Sequence, residues 1–253
     1  MNKGFVKEFI SYIYAVLIII IFWQMLHLYV GEEMVPSISQ TFKAFINLAN
    51  TDFYMHILYS FYRISVSVLI SIIIGVPTGI ILGTNKLAKR ILSPVIYLIY
   101  PIPKIAFLPI FMVLFGIGDR SKIILMVTII VFQIIIATRD AVLQIDKTIL
   151  ISAKIMNFNK FDLLCHVILP SIAPKLFSAI RISIGISISA LFFSENYATK
   201  YGIGYFIMNS WSMVDYKEMF VGVIALSLMS LVIYKFIDLL EKRLCAWSFK
   251  ENI

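Results

Sequence analysis

Apolar residues are concentrated in six long windows with few charged residues, and polar segments separate these windows. Within each window the apolar character extends around nearly the whole helical projection, as expected for helices solvated by lipid and by one another. About 20 apolar residues suffice to cross a bilayer. We therefore expect an all-α polytopic membrane protein in which residues 1–253 form a single transmembrane domain. The expected spans are residues 9–30, 64–84, 91–115, 123–138, 176–194 and 219–237.

The third expected span is irregular, because Pro101, Pro103 and Pro109 interrupt it and Lys104 places a charge among them. Proline removes a helical hydrogen bond and breaks or kinks a helix. A charge in the middle of a span costs about 2.5–3.5 kcal/mol on insertion scales. Lys104 is therefore either a pathway residue that faces an anionic solute, or a residue that reaches water because the prolines break the span.

Composition also indicates a membrane protein. Hydrophobic residues make up 60% of the chain and charged residues 14%, whereas soluble domains contain roughly a quarter charged residues. The net charge of +8 is better explained by membrane orientation than by nucleic-acid binding. Cys165 and Cys245 are too few for a disulfide framework, and no His, Cys or carboxylate group has the spacing of a metal site.

Lysine and arginine are concentrated on one side of the expected topology. That side contains the N-terminus with Lys3 and Lys7, the connection after the second span, the segment 139–175, and the C-terminus with Lys250. The positive-inside rule places this side in the cytoplasm. The first window lacks a small-x-small cleavage site, so we expect it to remain as a span.

The segment 139–175 is a long polar interruption in an otherwise apolar chain. Asp146–Met156 has apolar residues at helical spacing, and Asn157 can adopt the left-handed conformation that ends a helix. Asn159 can cap a second helix, which we expect Pro170 to end. Four residues are expected on one side of that second helix: Phe161, Leu164, Cys165 and Ile168. Such a hairpin either lies on lipid headgroups or binds a partner.

The same segment follows the spacing E-A-A-x3-G-x9-I-x-L-P, and it resembles the EAA loop in the membrane subunits of bacterial ABC importers. The matching positions are Ile151, Ser152, Ala153, Asn157, Val167, Leu169 and Pro170. Ile151 stands where the family has Glu, so the electrostatic contact of that Glu is absent. Ser152 replaces the first Ala, and Asn157 replaces the Gly but can still supply the turn.

Other motifs narrow the resemblance to the permeases of nitrate/sulfonate/taurine-type importers, the binding-protein-dependent transport inner-membrane component family. They occur in the family's order and extend from about Ser60 to Trp247. The matching residues are Ser60 and Arg63; Gly75, Pro77, Gly79 and Gly83; Ile102, Pro103, Ala106, Pro109, Phe115, Gly116 and Gly118; Arg181 and Glu195; Gly202, Gly204 and Tyr205; and Glu241, Arg243 and Trp247.

This resemblance implies the type I ABC importer permease fold in a bacterial cytoplasmic membrane, with both termini cytoplasmic. It implies a second permease copy that is commonly identical, two ATPase subunits that bind the loops, and an extracytoplasmic substrate-binding protein. ATP would be bound by the ATPase, so no cofactor is expected in this chain. The implied solute is a small polar or anionic compound such as nitrate, a sulfonate, taurine or a vitamin precursor. The residues assigned to ATPase coupling are Asp146, Ile151, Ser152, Ala153, Asn157, Phe161, Leu164, Val167, Leu169 and Pro170.

Several other residues have both a structural and a functional interpretation. Glu195 is expected either as a solvated span end or as a gate contact in the pathway. Small residues at i, i+4 spacing permit close helix packing, here within one chain or between subunits: Gly75, Gly79 and Gly83. Three basic residues are expected to reach the membrane interface from near span ends: Arg63, Arg181 and Lys235.

Two other protein classes are considered as alternatives. A secondary transporter would couple to ions through acidic residues in its spans, and only Glu195 at a span edge is available. A membrane-embedded enzyme would carry clustered catalytic groups, yet no paired intramembrane carboxylates or serine- or metal-hydrolase motifs occur. The chain also lacks the phosphate-binding loop G-x-x-x-x-G-K-[ST], so it is not itself expected to hydrolyse ATP.

Overall fold

The computed structural model describes residues 3–48 and 51–249, and it describes side chains in residues 13–48 and 51–248. This part of the chain forms helices and connecting turns, without a β-strand. The side chains of Lys3, Lys7 and Lys250, which entered the charge argument, lie outside the described residues. In chain order the helices are α1 (Lys3–Val30), α2 (Ile38–Leu48), α3 (Phe53–Thr84), α4 (Lys86–Ile99), a 3-10 turn (Lys104–Phe107), α5 (Leu108–Phe115), α6 (Asp119–Leu143), α7 (Lys147–Ile155), α8 (Lys160–Asp162), a π segment (Leu163–Ile168), α9 (Leu169–Glu195), α10 (Ile203–Ser212), α11 (Tyr216–Leu244) and a 3-10 turn (Ala246–Phe249).

Five helices of the described chain are long and apolar enough to cross a membrane: α1, α3, α6, the continuous helix Lys160–Glu195 and α11. A sixth crossing results if α4 and Lys104–Phe115 are counted as one span that is bent by 81°. The bend follows Pro101 and Pro103, whose missing N–H groups prevent a continuous helix. The protein is therefore all-α with five to six membrane spans.

The core lies between α3, α6, α9 and α11. Ile64 of α3, Ile130 and Ile134 of α6, and Ile184 of α9 are fully buried in it. In a bilayer the surrounding lipid is as apolar as these side chains, so close packing rather than exclusion of water holds the helices together. We call the end of this bundle that carries residues 144–170 the loop end, and the opposite end the far end.

Glycines on α3 allow the closest helix contact in this core. Gly75, Gly79 and Gly83 all face α6. A Cβ atom on Gly79 would lie 2.5 Å from Thr138 Cβ and 2.8 Å from the carbonyl oxygen of Ile135. These glycines therefore bring two helices of the same chain together, as small residues do in membrane proteins.

Helix α1 is peripheral to the bundle, since no residue of its membrane window is buried. Its described side-chain contacts lie toward its C-terminal end, where the Trp23 indole Nε1 donates to the carbonyl oxygen of Pro36 at 2.9 Å. The Trp23 ring also lies 5.4 Å from that of Phe220 on α11. The remaining described surface of α1 is available to lipid or to another subunit.

Helices α2 and α10 lie outside the expected spans, at the far end of the bundle. Helix α2 packs against α11 and leaves Phe42, Phe45 and Ile46 exposed. Helix α10 packs against both α9 and α11. The far end is therefore covered by structured helices rather than by open loops.

The expectation that Pro170 ends the second loop helix is wrong. Helical structure continues from Lys160 to Glu195, and Pro170 lies in the first turn of α9. The π segment Leu163–Ile168 precedes it, and the Leu169 N–H donates to the carbonyl oxygen of Leu164. In the first turn of a helix proline lacks only a dispensable N–H group, and the wider π turn relieves the contact of its ring with the preceding turn.

Candidate functional site

The loop begins with a capped helix. Asp146 precedes α7, and its Oδ1 accepts a hydrogen bond from the Thr148 N–H at 2.8 Å. This bond stabilises the ionised carboxylate, so the pKa of Asp146 is lowered from its ordinary value. At the base of the loop, the Lys175 Nζ donates to Gln144 Oε1 at 2.5 Å. The start of the loop is thus fixed by side chains that contact its own backbone and α9.

Asn157 forms the turn between α7 and α8, with a φ of 58° in the left-handed region. The Phe158 N–H donates to the carbonyl oxygen of Ala153 at 3.1 Å, which closes the Schellman pattern of a helix end. The Asn159 Oδ1 then accepts from the N–H groups of Phe161 at 2.8 Å and Asp162 at 2.9 Å. Asparagine therefore supplies the turn where the family pattern has glycine.

The loop presents apolar side chains away from the bundle. Ile155 is 80% exposed, Met156 and Phe161 are each 69% exposed, and Ile151 is also exposed. We call these four residues the apolar knob. Such a concentration of exposed apolar side chains on a loop between membrane spans is typical of an interaction site.

Other loop residues face the bundle instead. Ala153, Val167 and Ile168 are buried. Leu164 packs against a cluster that includes Val142. The expectation that Phe161 and Ile168 share one side of a helix is therefore wrong, because the π segment between them changes the helical register. The remaining coupling candidates are exposed or half-buried at the loop surface: Ser152, Asn157, Leu169 and Pro170.

A second group of polar residues lies at the far end. We call Arg63, Asp119, Lys122 and Glu195 the buried charge cluster. Arg63 Nη1 lies 2.5 Å from Glu195 Oε1, and Arg63 Nε donates to Asp119 Oδ1 at 2.8 Å. Glu195 is 0% exposed. Removal of one partner from a buried ion pair costs about 3–5 kcal/mol, so the pair is a strong constraint on α3 and α9.

Glu195 also bonds the first turn of α10. Its Oε2 accepts from the Gly204 N–H at 2.8 Å. The Ser60 Oγ lies 2.7 and 2.9 Å from the two carboxylate oxygens and donates to this group. The same Oγ accepts from the Ile203 N–H at 2.8 Å. Four elements, α3, α6, α9 and α10, therefore meet at one buried carboxylate and its arginine.

Lys122 is fully buried beside this pair. Its Nζ lies 3.3 Å from the carbonyl oxygen of Gly118 and 3.5 Å from that of Ala198. The two cations and two carboxylates of the cluster balance in formal charge, which limits the cost of burying Arg63, Lys122 and Glu195. The Asp119 side chain remains 35% exposed.

Sequence reasoning did not identify this cluster. Arg63 was expected to reach the interface and Glu195 to lie at a solvated edge or gate, yet the two side chains bond each other. The sequence contains one indication that these residues belong together. Ser60, Arg63 and Glu195 are all among the residues that match the family motifs, and so are Gly202 and Gly204 at the start of α10. The pathway role of Glu195 stays a prediction.

Lys104 lies at the break between α4 and the following 3-10 turn. Its Nζ donates to the carbonyl oxygen of Ile99 at 2.6 Å and to that of Tyr100, and it lies 5.3 Å from the centre of the Phe132 ring. A cation at this position stabilises the C-terminal end of a helix. The proline break is present as expected, and Lys104 is half-buried there.

Arg181 also has ion-pair partners, at the loop end of the bundle. Its Nη1 lies 2.9 Å from Asp238 Oδ1 and also pairs with Glu241. Arg181 is expected to reach the interface, and in the structure it also connects α9 to α11. Among the described residues, no group of three His, Cys, Asp or Glu side chains could hold a metal ion.

A large apolar cavity opens beside α5 in the far half of the bundle. It has a volume of about 870 Å³, and Met112, Phe193 and Tyr197 contribute to its wall. Val113 and Ile117 on the same side are also exposed. This surface has few polar groups, so it suits contact with lipid or with another apolar subunit surface.

Comparison with known proteins agrees with this architecture. Residues 75–245 match the sequence profile of the family described as "Binding-protein-dependent transport system inner membrane component". The taurine transport system permease protein TauC of Escherichia coli is 26% identical over 194 residues, which cover 77% of this chain and 70% of TauC. The nitrate import permease protein NrtB of Synechococcus elongatus is 26% identical over 245 residues, covering 89% of this chain and 88% of NrtB.

The fold is also similar to that of a solved ABC transporter. One chain from an inward-facing structure of the MetNI methionine ABC transporter gives a TM-score of 0.64 at 20% identity. The similarity covers 75% of this chain and 94% of that chain. The family match extends over more than half of the sequence. The chain therefore belongs to the binding-protein-dependent transport system inner membrane component family, as an ABC transporter permease rather than the subunit that hydrolyses ATP.

Proposed function

We propose that this chain forms the solute pathway of an ATP-driven importer and that its apolar knob binds a separate ATPase. The observation that carries this proposal is the exposure of Ile155, Met156 and Phe161 on a loop held by side-chain caps at both of its turns. Full burial of such a side chain contributes about 1.5–3 kcal/mol. A groove on a partner that covers the knob would therefore bind it strongly.

The charge pattern supports a cytoplasmic position for the loop end. Lys147, Lys154 and Lys160 surround the knob and are exposed. Positive residues accumulate on the cytoplasmic side of membrane proteins, and an ATPase that uses cellular ATP must lie on that side. Both termini would then also be cytoplasmic, and the far end would face a substrate-binding protein.

The exposed apolar surface around α5 supports pairing with a second copy of this chain. Val113 and Ile117 lie on this surface beside the cavity wall of Phe193 and Tyr197. Two copies that face each other there would enclose a pathway between them. Lys104, at the break beside the same region, would then supply a cation toward an anionic solute.

For the solute we propose a small polar or anionic compound, such as nitrate, a sulfonate, taurine or a vitamin precursor. The similarity to a taurine permease and to a nitrate permease supports this class. The two relatives are about equally identical to this chain, so neither solute is favoured over the other.

The test is co-purification of the ATPase with knob variants. Phe161→Asp places a charge on an exposed knob position without disturbing the core. We expect at least about a tenfold loss of bound ATPase, because truncation of an interface hot spot costs about 2 kcal/mol or more. Leu164 is less suitable for this test, because it packs against the bundle.

The matched control is Leu244→Asp, which changes an exposed residue at the end of α11 and outside the knob. It should retain the ATPase, and both variants should remain in the membrane fraction. Equal ATPase retention by the two variants would contradict docking through the knob. If the unmodified chain brings down no ATPase, the alternatives of a secondary transporter or a membrane-embedded enzyme are favoured.

A further inference from the structure

One continuous helical element connects the loop to the far end, with Pro174 inside it. It extends from Lys160 to Glu195, a length of 36 residues, which corresponds to about 54 Å along the helix at about 1.5 Å per residue. We call this element the rod. Phe161 of the apolar knob lies at one end and Glu195 is the last residue at the other. Hydrogen bonding continues through the π segment, where the Leu169 N–H donates to Leu164.

The far end of the rod is bonded directly to α10. The first N–H groups of a helix have no acceptors within the helix. In α10 two of these groups donate to Glu195 and Ser60, from Gly204 and Ile203 respectively, each at 2.8 Å. The negative carboxylate also lies at the positive end of the α10 dipole. The last side chain of the rod, Glu195, therefore caps the N-terminus of α10.

The contact between the end of α9 and the start of α10 leaves no space for a side chain at either glycine at the start of α10, Gly202 or Gly204. A Cβ atom on Gly204 would lie 2.6 Å from the carbonyl oxygen of Phe192. A Cβ atom on Gly202 would lie 2.5 Å from Glu195 Cδ. Only glycine permits this approach, so α10 and the end of α9 move as one body unless these hydrogen bonds break.

Arg63 supplies the fixed side of the contact. It reaches Glu195 from α3 and also pairs with Asp119 at the start of α6. Helices α3 and α6 pack closely along their shared glycine interface. Glu195 thus lies between a rigid helix pair on one side and α10 on the other.

We propose that Glu195 is a mechanical joint: a positioning residue that transmits movement of the rod to α10 at the far end. The proposal rests on the proposed function, since it assumes that an ATPase displaces the apolar knob. Displacement of the apolar knob moves the rod. The hydrogen bond from Gly204 to the Glu195 carboxylate moves α10 together with the rod, while the ion pair with Arg63 keeps the carboxylate in contact with α3. The far-end surface formed by α10 would then change in step with ATP binding on the opposite side of the membrane.

Tryptophan fluorescence can test this joint in the complete complex of the chain with its ATPase. Trp211 on α10 is half exposed, and the other two tryptophans, Trp23 and Trp247, are replaced by phenylalanine. Iodide quenching of Trp211 is compared between the nucleotide-free complex and the complex trapped with ATP and orthovanadate. We expect the two states to differ in the chain with native Glu195, and the part of that difference that is absent from the same complex carrying Trp211→Phe is the readout of α10 movement.

Two substitutions at Glu195 separate the joint from a merely structural ion pair. Glu195→Gln loses the charge but keeps a carbonyl oxygen that can accept from Gly204, so the quenching difference should stay within about twofold of the native value. Glu195→Ala loses the acceptor, and most of the quenching difference should be lost. If the ion pair alone mattered, both substitutions would reduce the difference equally, and that result would overturn the joint.

Ser60→Ala provides a second test that does not remove the ion pair. It deletes the oxygen that accepts from Ile203. We expect its quenching difference to be smaller than that of Glu195→Gln and larger than that of Glu195→Ala. A native difference in both Ser60→Ala and Glu195→Ala would refute the proposal. If Glu195→Ala does not assemble, the Ser60→Ala result decides alone: a reduced difference supports the joint and a native one overturns it.

These outcomes differ from failure of the proposed function. If the unmodified chain does not co-purify with an ATPase, the importer assignment fails before any quenching is measured. If the ATPase binds normally and Trp211 shows no state-dependent difference in the chain with native Glu195, only the joint is refuted.

Discussion

Replacement of Gly79 by alanine tests the packing between α3 and α6. The added Cβ would lie 2.5 Å from Thr138 Cβ and 2.8 Å from the backbone oxygen of Ile135. Carbon atoms in contact prefer about 3.5–4.0 Å, so the helices would have to separate locally by about 1 Å. The oxygen belongs to the backbone and cannot rotate away. Overpacking of this kind costs about 1–3 kcal/mol, and the higher helix propensity of alanine recovers up to about 1 kcal/mol.

Gly185→Ala is the matched control, because it also adds a methyl group within a membrane helix. Its Cβ would lie 2.7 Å from the Tyr234 hydroxyl group, which ends a flexible side chain and can move aside. We expect Gly79→Ala to lower the thermal unfolding midpoint of the detergent-solubilised protein by roughly 2–12 °C relative to Gly185→Ala, because the gain in helix propensity is common to both variants and the overpacking cost of about 1–3 kcal/mol remains. Both variants must be heated at the same rate, since such unfolding is often irreversible. Equal midpoints would refute the reasoning.

Two further predictions concern the loop. Asn157→Ala should weaken ATPase co-purification, whereas Asn157→Gly should retain it. The reason is that a φ of 58° costs a residue with an ordinary Cβ about 1–2 kcal/mol. Equal retention of the ATPase by the two variants would show that the left-handed turn is not needed for docking. The lowered pKa of Asp146 means that its cap is fully present above its ordinary pKa near 3.8 and is lost as pH falls below that value. Amide exchange at Thr148, corrected for intrinsic rates, should therefore keep its protection down to the ordinary pKa near 3.8 and lose it only as the pH falls further. Asp146→Asn should show no such loss, since its amide oxygen still caps the helix; an identical pH response would show that the carboxylate is not responsible.

Short-range features of the loop were predictable from sequence. The turn at Asn157 and the cap at Asn159 depend on residues within a few positions of each other, and both were expected from side-chain chemistry alone. The spacing of Gly75, Gly79 and Gly83 likewise predicts a close helix contact. It does not say which helix makes the contact, and the structure identifies α6.

Features that depend on distant partners were not predictable in the same way. The course of the chain after Leu163 was missed, because proline usually ends a helix and the π segment that accommodates Pro170 has no clear sequence signal. Lys104 was recognised as unusual, but its acceptors at the end of α4 follow from the 81° bend. A sequence pattern predicts a break without the direction of the chain beyond it.

The buried charge cluster also sets an order for assembly during synthesis. Arg63 and Glu195 are separated by 132 residues, so at about 5–20 residues per second the ribosome takes on the order of 10 s to complete the partner after the arginine. During that interval Arg63 has left the ribosome without Glu195, and Asp119 is the only acid of the cluster made before it. The bundle can close at its far end only after the final turn of α9 has been inserted. A chain stopped before Glu195 would therefore leave α3 with an arginine that has lost one of its two carboxylate partners.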